Sequence, residues 1–377
     1  MGLLTPSTED LRLVDHHCHS VVGGELDRSA FEALMSEGGA APAGLSNFDT
    51  PLGAALRRHC APVLDLDPYA TPEEYVHRRA ELGASEVTRR LLRAAGTATF
   101  LVDTGFRGAE LLSLSELAAA AGGTTREIVR LETVAESVAE RGVEAGEFAE
   151  SYVLALAETV AAAGAVGVKS VAAYRIGLDF DSAAPARQEV KAAAGSWLDR
   201  GPAAGGWRLA DPVLIRAALW SAVELGLPIQ FHTGFGDRDL TLHEVNPGLL
   251  TGFIRAVPDR VPIMLLHCYP YHREASYLAA VYPHVYLDVG LALNFVGPAR
   301  AGAVLAEAMD LAPFTKMLYS SDAFGLPELY FLGALSFRRG LDELLAARVE
   351  AGDWTATDAE RIAARIGSDN AVRVYGL

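Results

Sequence analysis

A chain of 377 residues is long for one ordinary domain but fits a single α/β barrel with insertions. Half of its residues are hydrophobic and 21% are charged, which supplies a large core and excludes a mostly disordered protein. The formal net charge of -16 argues against binding to a phosphate backbone, which needs a basic face, so no nucleic-acid partner is expected.

The opening residues Met1 to Pro6 have no basic region followed by an apolar core and so do not read as a secretory leader. The apolar stretches near 154–166 and 214–226 are interrupted and too short to span a membrane, and the expectation is a cytoplasmic enzyme with no membrane partner. A first strand at 11–15 ends in Asp15-His16-His17-Cys18-His19. Side chains two apart on an extended segment share a face, so His17 and His19 can hold one metal ion together. From about 20 to 97 the chain makes an excursion with helical patterns at 26–36 and 72–95. The second begins at Thr71-Pro72-Glu73-Glu74, a capping residue followed by proline and two acids. This helical insertion after strand one emerges on the active-site face, as a lid or a dimer contact.

Further strands are expected at 98–102, ending at Asp103; at 127–131, ending at Glu132; and at 166–171, which carries Lys169 and leads to Tyr174 and Arg175. A second excursion covers 176–212. The fifth, sixth and eighth strands precede His232, His267 and Asp322, and the seventh is 285–289. Strands alternating with helices of about ten to fifteen residues imply parallel βαβ units, and eight of them close most simply into a (β/α)8 TIM barrel. With no internal repeat or linker, residues 1–377 read as one domain.

A barrel of this kind places its chemistry at the C-terminal ends of its strands, where these polar residues fall. A catalytic divalent metal needs several neutral imidazoles or carboxylates and one open position. His17, His19, His232 and Asp322 supply three nitrogens and a carboxylate, and Asp15 can orient its histidine neighbour from behind. Lysine is costly to bury as a cation without a partner, so Lys169 needs a specific role: an anchor for a substrate carboxylate or a structural salt bridge. Arg175, beside Tyr174, reads as a bidentate clamp for a substrate carboxylate or as an ordinary surface arginine. Cys18, Cys60 and Cys268 form no CxxC pair and read as reduced, buried thiols. His59, His77, His243 and His284 are assigned no catalytic part; His16 and His272 neighbour the site.

The order of HxH on strand one, His on strands five and six and Asp on strand eight resembles the amidohydrolase superfamily. More narrowly, the segments from Phe231 to Asp237 (FHTGFGD), from Leu266 to Pro270 (LHCYP) with Arg273-Glu274-Ala275, and from Ser320 to Ala323 (SSDA) resemble amidohydrolase-related family 2. Within it the likeness is to the amidohydrolase half of FluG-like proteins, which also carry a type I glutamine synthetase domain. It runs from about residue 11 to the C-terminus and is strongest from 166 to 335. The resemblance implies a divalent metal, zinc above all, as one or two ions, with Asp322 both ligand and proton acceptor for water. It adds a third role for Lys169, a carboxylated bridge between two metals, with His232 and His267 holding the second ion; otherwise His267 is a general acid or base. One departure stands out: Ala323-Phe324 follow Asp322 where the related group often has Asp-Gly-His, so a nearby substrate contact differs.

The function so implied is hydrolysis of a C–N bond in a small amide, by analogy a γ-glutamyl amide. The alternative is a metal-dependent non-oxidative decarboxylase, with one metal and His267 near the scissile carboxylate. A non-catalytic scaffold would be expected to lose ligands, and His17, His19, Lys169, His232, His267 and Asp322 are all retained. The expected partner is a small-molecule substrate. A homo-oligomer stays open, and a glutamine-synthetase-like partner enzyme would be a separate polypeptide.

Overall fold

In the computed structural model, which describes residues 8, 10–106 and 110–377, seven parallel strands pair in sequence order. They are β1 (Leu13–Cys18), β2 (Thr97–Asp103), β3 (Thr124–Arg130), β4 (Gly167–Ser170), β5 (Ile229–Thr233), β6 (Ile263–His267) and β7 (Val285–Leu287). The segment Met1 to Pro6 lies outside the described residues. Runs such as Ile263-Met264-Leu265-Leu266 are apolar on both faces because a parallel sheet is covered on both sides. One face packs into a small cluster with Val14, Leu101, Ile128, Met264, Leu266 and Leu318. The other belongs to a much larger cluster shared with the helices.

The expected eighth strand is not a regular strand. Residues 317–323 instead run extended between the two ends of the sheet and bond to both. Leu318 N donates to Leu287 O at 3.0 Å on the β7 side. On the β1 side His16 N donates to Tyr319 O (3.1 Å), Asp322 N to His17 O (3.1 Å) and His19 N to Ala323 O (2.8 Å). The ladder breaks because Asp322 turns to φ 47°, the left-handed region.

Between β1 and β2 lie α1 (Arg28–Ala33), α2 (Pro51–Val63), α3 (Pro72–Leu82) and α4 (Ala84–Ala95). The helix expected over 72–95 is two helices, parted at Gly83, whose φ of 80° no helix continues. Thr71 caps α3 as expected, in a reciprocal pair with Glu74. α2 was not anticipated, although Thr50 accepts from Gly53 N and Pro51 opens the helix.

The later connections carry α5 (Leu114–Ala121), α6 (Leu131–Glu140), α7 (Phe148–Ala163), α8 (Arg187–Arg200), α9 (Pro212–Leu225), α10 (Thr251–Ala256) and α11 (His272–Val281). After β7 come α12 (Gly290–Val296), α13 (Pro298–Ala308), the long α14 (Pro327–Glu350), α15 (Ala356–Ala364) and α16 (Asn370–Tyr375). Glu132, expected at a strand end, lies in the first turn of α6. α16 sends Ala371 and Tyr375 into the small cluster within the sheet.

Candidate functional site

The pairing of β1 with β2 slips between Asp15 and Cys18: three steps on β1 oppose two on β2, the register Asp15 to Phe100 becoming Cys18 to Val102. A bulge of this kind re-aims side chains. Neighbouring residues that would otherwise point to opposite faces both reach the inner network. His16 faces Asp288 Oδ2 (3.0 Å) and Tyr375 Oη (3.0 Å), while His17 faces Gln230 Oε1 (2.9 Å) and Lys169 Nζ (2.8 Å).

These partners fix the imidazole tautomers. The Gln230 amide nitrogen donates to His16 O (2.7 Å) and Tyr375 Oη (2.8 Å), so its Oε1 must accept from His17 Nδ1–H. That leaves the lone pair of His17 Nε2 directed at Lys169 and at Asp322 Oδ1, 3.0 Å away. His19 Nδ1 likewise donates to Asp103 O (3.1 Å), and its Nε2 lies 3.6 Å from Asp322 Oδ1. A ring whose far nitrogen is tied to an acceptor presents its near nitrogen as a metal ligand.

Asp322 and His267 complete the group. His267 Nε2 is 3.3 Å from Asp322 Oδ2, and ligand atoms of His17, His267 and Asp322 all lie within 4.8 Å of one another. Both ring nitrogens of His267, and Asp322 Oδ1, are buried without a hydrogen-bond partner. Orphaned polar atoms converging in a buried place are costly unless a ligand satisfies them, so the set fits a divalent cation. Charge agrees. Burial, then the Lys169 ammonium, holds His17 and His232 well below the usual imidazole range, and burial drives His19 down to about 3. Burial does the same to His267, so all four rings are in the neutral, ligating form. Burial raises the Asp322 carboxyl against the pull of Lys169, and lowers the Lys169 ammonium against the pull of Asp322.

The backbone is bent to make this arrangement. His267 (φ 68°), Cys268 (φ 60°) and Asp322 (φ 47°) all occupy the left-handed region, strain that persists only where neighbours over-determine it. Asp288 supplies that on one side, its Oδ1 accepting from His267 N (3.0 Å), Gly290 N (2.8 Å) and Ser320 Oγ (2.8 Å). Gly290 is required here, because a Cβ would overlap Ser320 Oγ. Asp15 supplies it on the other. Besides accepting from the backbone of its neighbour His17, it accepts from Ser321 N (2.9 Å) and Oγ (2.5 Å), fixing the residue before Asp322.

His232 is held slightly apart. Its ring stands 4.7 Å from that of His267 by centroid, and Tyr174 Oη lies 3.2 Å from its Nε2. A cavity of 470 Å³ opens above the cluster, lined by His19, Lys169, Tyr174, Arg175, His232 and Asp322 at the strand ends and by Glu37 after α1. The region between β1 and β2 thus supplies part of its wall. Arg175 pairs with Glu136 Oε1 at 3.3 Å, while its Nη1 is buried without a partner. Among the described residues no carboxylate is in direct ion-pair contact with Lys169, whose Nζ meets His17 Nε2 while Asp322 and Asp103 act on it from further off. Cys18, Cys60 and Cys268 are free and buried.

Sequence reasoning passed over Gln230, Asp103, Asp288 and Glu37. A glutamine between Ile229 and Phe231, and an aspartate after Val285-Tyr286-Leu287, are polar residues inside apolar runs, and that was their signal. Glu37 carried none.

The Amidohydro_2 (amidohydrolase) family model matches residues 133–377. Among curated proteins the chain is 28% identical to protein fluG of Emericella nidulans over 403 aligned positions, covering 97% of this chain and 46% of fluG. The chain thus spans about half the length of that relative. A Lactobacillus casei structure provisionally named a metal-dependent hydrolase superposes with a TM-score of 0.81 at 27% identity, covering 99% of this chain and 98% of that one. The uronate isomerase of Thermotoga maritima shares the fold alone, with a TM-score of 0.63 at 16% identity over 97% of this chain and 95% of its own. No helix of the described residues is long and apolar enough to cross a membrane. With the family model covering well over half of its length, the chain belongs to the amidohydrolase family.

Proposed function

We propose that the protein is a metal-dependent hydrolase that cleaves the C–N bond of a small amide. The observation that carries this reading is the convergence of neutral imidazole nitrogens of His17 and His267 on the Asp322 carboxylate, all within 4.8 Å, beneath a cavity of 470 Å³. His17, His19 and Asp322 would hold one ion, zinc by preference; His232, His267 and Lys169 would share a second or flank the first. A divalent ion there would polarise a carbonyl and lower the pKa of water.

The residues of the chain do the rest. Asp322, with Oδ1 free of hydrogen bonds, is placed to take a proton from water and return it to the departing nitrogen. Gln230 and Asp103 O keep His17 and His19 from rotating out of their tautomers. Tyr174 and Arg175 meet the substrate at the cavity wall. In this reading residues 317–323 are the eighth stave of a (β/α)8 barrel and the chain is one domain. The resemblance to glutamine-synthetase-linked proteins points to a γ-glutamyl acyl group, with a separate glutamine-synthetase-like enzyme as the matching partner.

The test offers the metal-loaded protein a panel of γ-glutamyl amides, other N-acyl amino acids and aromatic or unsaturated carboxylic acids, with released amine and released CO2 assayed in parallel. Amine without CO2 is the expected outcome. Metal-dependent CO2 release with no amine from any amide would make the protein a decarboxylase instead.

A further inference from the structure

Glu37 lines the cavity close to Asp237, and its loop is pinned from outside by Arg238 Nη2, which donates to Gly38 O at 2.9 Å. The other acids of the cavity are answered. Asp239 meets Arg208 at 3.3 Å, Asp237 Oδ1 accepts from Asp239 N at 2.8 Å, and Asp322 belongs to the group that would hold the ion. The Glu37 carboxylate has no hydrogen bond or ion pair with any described residue. Burial, and then repulsion from Asp237, pushes its carboxyl up to about 7 against a weaker pull from Lys169. A desolvated carboxylate facing a second one is relieved by gaining a cation.

The same cavity holds the opposite deficit. The Arg175 side chain is only 10% exposed, spends one nitrogen on Glu136, and leaves Nη1 buried with no acceptor. A charged donor left unpaired in a buried place carries its full desolvation penalty until an acceptor arrives. One cavity thus holds a carboxylate with no cation in contact with it at one wall, Lys169 acting on it only from a distance, and a guanidinium nitrogen short of an acceptor at another.

We infer that the substrate is zwitterionic, an amino-acid head whose ammonium binds Glu37 with Asp237 behind it and whose carboxylate binds Arg175. This deepens the hydrolase reading and rests on it for the identity of the site; it names the part of the substrate that is gripped, whichever bond is cut. Glu37 and Arg175 are then specificity determinants, and an amide without a free ammonium is a poor ligand.

Calorimetric titration tests this without turnover, using L-glutamate, glutarate (which lacks the ammonium) and 4-aminobutyrate (which lacks the α-carboxylate) on the metal-loaded full chain. Wild type should bind glutamate at least about tenfold tighter than either analogue, the scale of one hydrogen bond to a charged group. Glu37→Gln should bring glutamate down to the affinity of glutarate and leave glutarate unchanged. Arg175→Met should bring glutamate down to the level of 4-aminobutyrate. Asp237→Asn, on an exposed loop where folding is not at stake, should give a smaller loss in the same direction as Glu37→Gln. Equal affinities for glutamate and glutarate, a glutamate affinity that survives Glu37→Gln, or no binding of any of the three at millimolar concentration would overturn the inference. So would a preference for glutamate that vanishes with chelator treatment and ignores Glu37→Gln, since that is simple chelation of the ion. The expected binding pattern without amide hydrolysis would sink the hydrolase reading and keep this one; hydrolysis without a preference for the ammonium would do the reverse.

Discussion

Lys169 is the residue on which the number of metal ions turns. It is 2% exposed, its Nζ donates to His17 Nε2 at 2.8 Å, and that nitrogen is one a metal would also claim. Carboxylation would remove the competition by replacing a cation with an anionic bridge. In that case Lys169→Ala should lose one equivalent of metal by elemental analysis and regain part of its activity with short carboxylic acids, which can occupy the bridging position. As a substrate anchor it should leave metal content unchanged and raise KM; unchanged metal and kinetics together would refute both roles. If Asp322 moves a proton as well as holding the ion, Asp322→Asn should lower kcat by a factor on the order of 10² to 10⁴ with an unaltered circular dichroism spectrum. A loss confined to KM would remove it from the chemical step. His17, His19, His232, His267 and Asp322 were legible in the sequence because each ends a short apolar run. The residues that aim them were less so. Gln230 and Asp288 are isolated polar positions whose partners, His17 and His267, are distant in sequence, and nothing local says which histidine each one fixes.

The elements between β1 and β2 show where periodicity is a weaker guide than local chemistry. The apolar pattern over 72–95 runs across Gly83, and only the positive φ that glycine permits parts α3 from α4. α1 is shorter than its pattern, and Glu32 in its last turn fastens the segment that follows, its Oε2 accepting from Ser46 Oγ (2.8 Å) and Asn47 N (2.8 Å). The bulge in β1 was equally invisible, since pairing register depends on the partner strand. What secures these helices to the rest is a buried clasp. Arg79 on α3 gives Nε to Glu328 Oε1 of α14 at 2.6 Å, Tyr75 Oη gives to the same oxygen at 2.9 Å, and the guanidinium lies 4.6 Å over the Phe31 ring of α1. α1 leads directly into the Glu37 wall of the cavity. Removing one member would leave a buried carboxylate uncompensated, so Arg79→Met should cost about 3–5 kcal/mol in urea unfolding. Adding Glu328→Met should recover much of that, because replacing both charges by apolar side chains of similar volume is often neutral. A single substitution costing under about 1 kcal/mol, the worth of an exposed pair, would show the clasp to be open to water.

At the scale of the whole molecule the site is also a fastening. The atoms that converge there come from His17 on β1, His267 on β6 and Asp322 in the 317–323 segment, so an ion held by them would tie the two ends of the sheet together. The main-chain bonds of 317–323 to β7 and β1 already bring the ends together, but that segment has no regular ladder, and Asp322 and His267 sit in strained backbone. The order of the strands was legible as alternating apolar runs and helices; the irregular closure was not, because it follows from side chains that converge only after folding. Binding to the native state alone stabilises it by mass action, about 2.7 kcal/mol when free metal is 100 times its dissociation constant. Chelator-treated protein should therefore unfold at lower urea concentration than the metal-loaded form, and the gap should grow with the logarithm of added zinc. His17→Ala should abolish that dependence on chelator and zinc; the alanine keeps the main-chain bond from Asp322 N to His17 O, while the metal-free protein loses a further few kcal/mol, about 1–3 for each of the Gln230 and Lys169 partners left unpaired. A protein whose unfolding midpoint ignores both chelator and zinc would have no ion bound specifically to its native state, and the convergence of His17, His267 and Asp322 would then need another explanation.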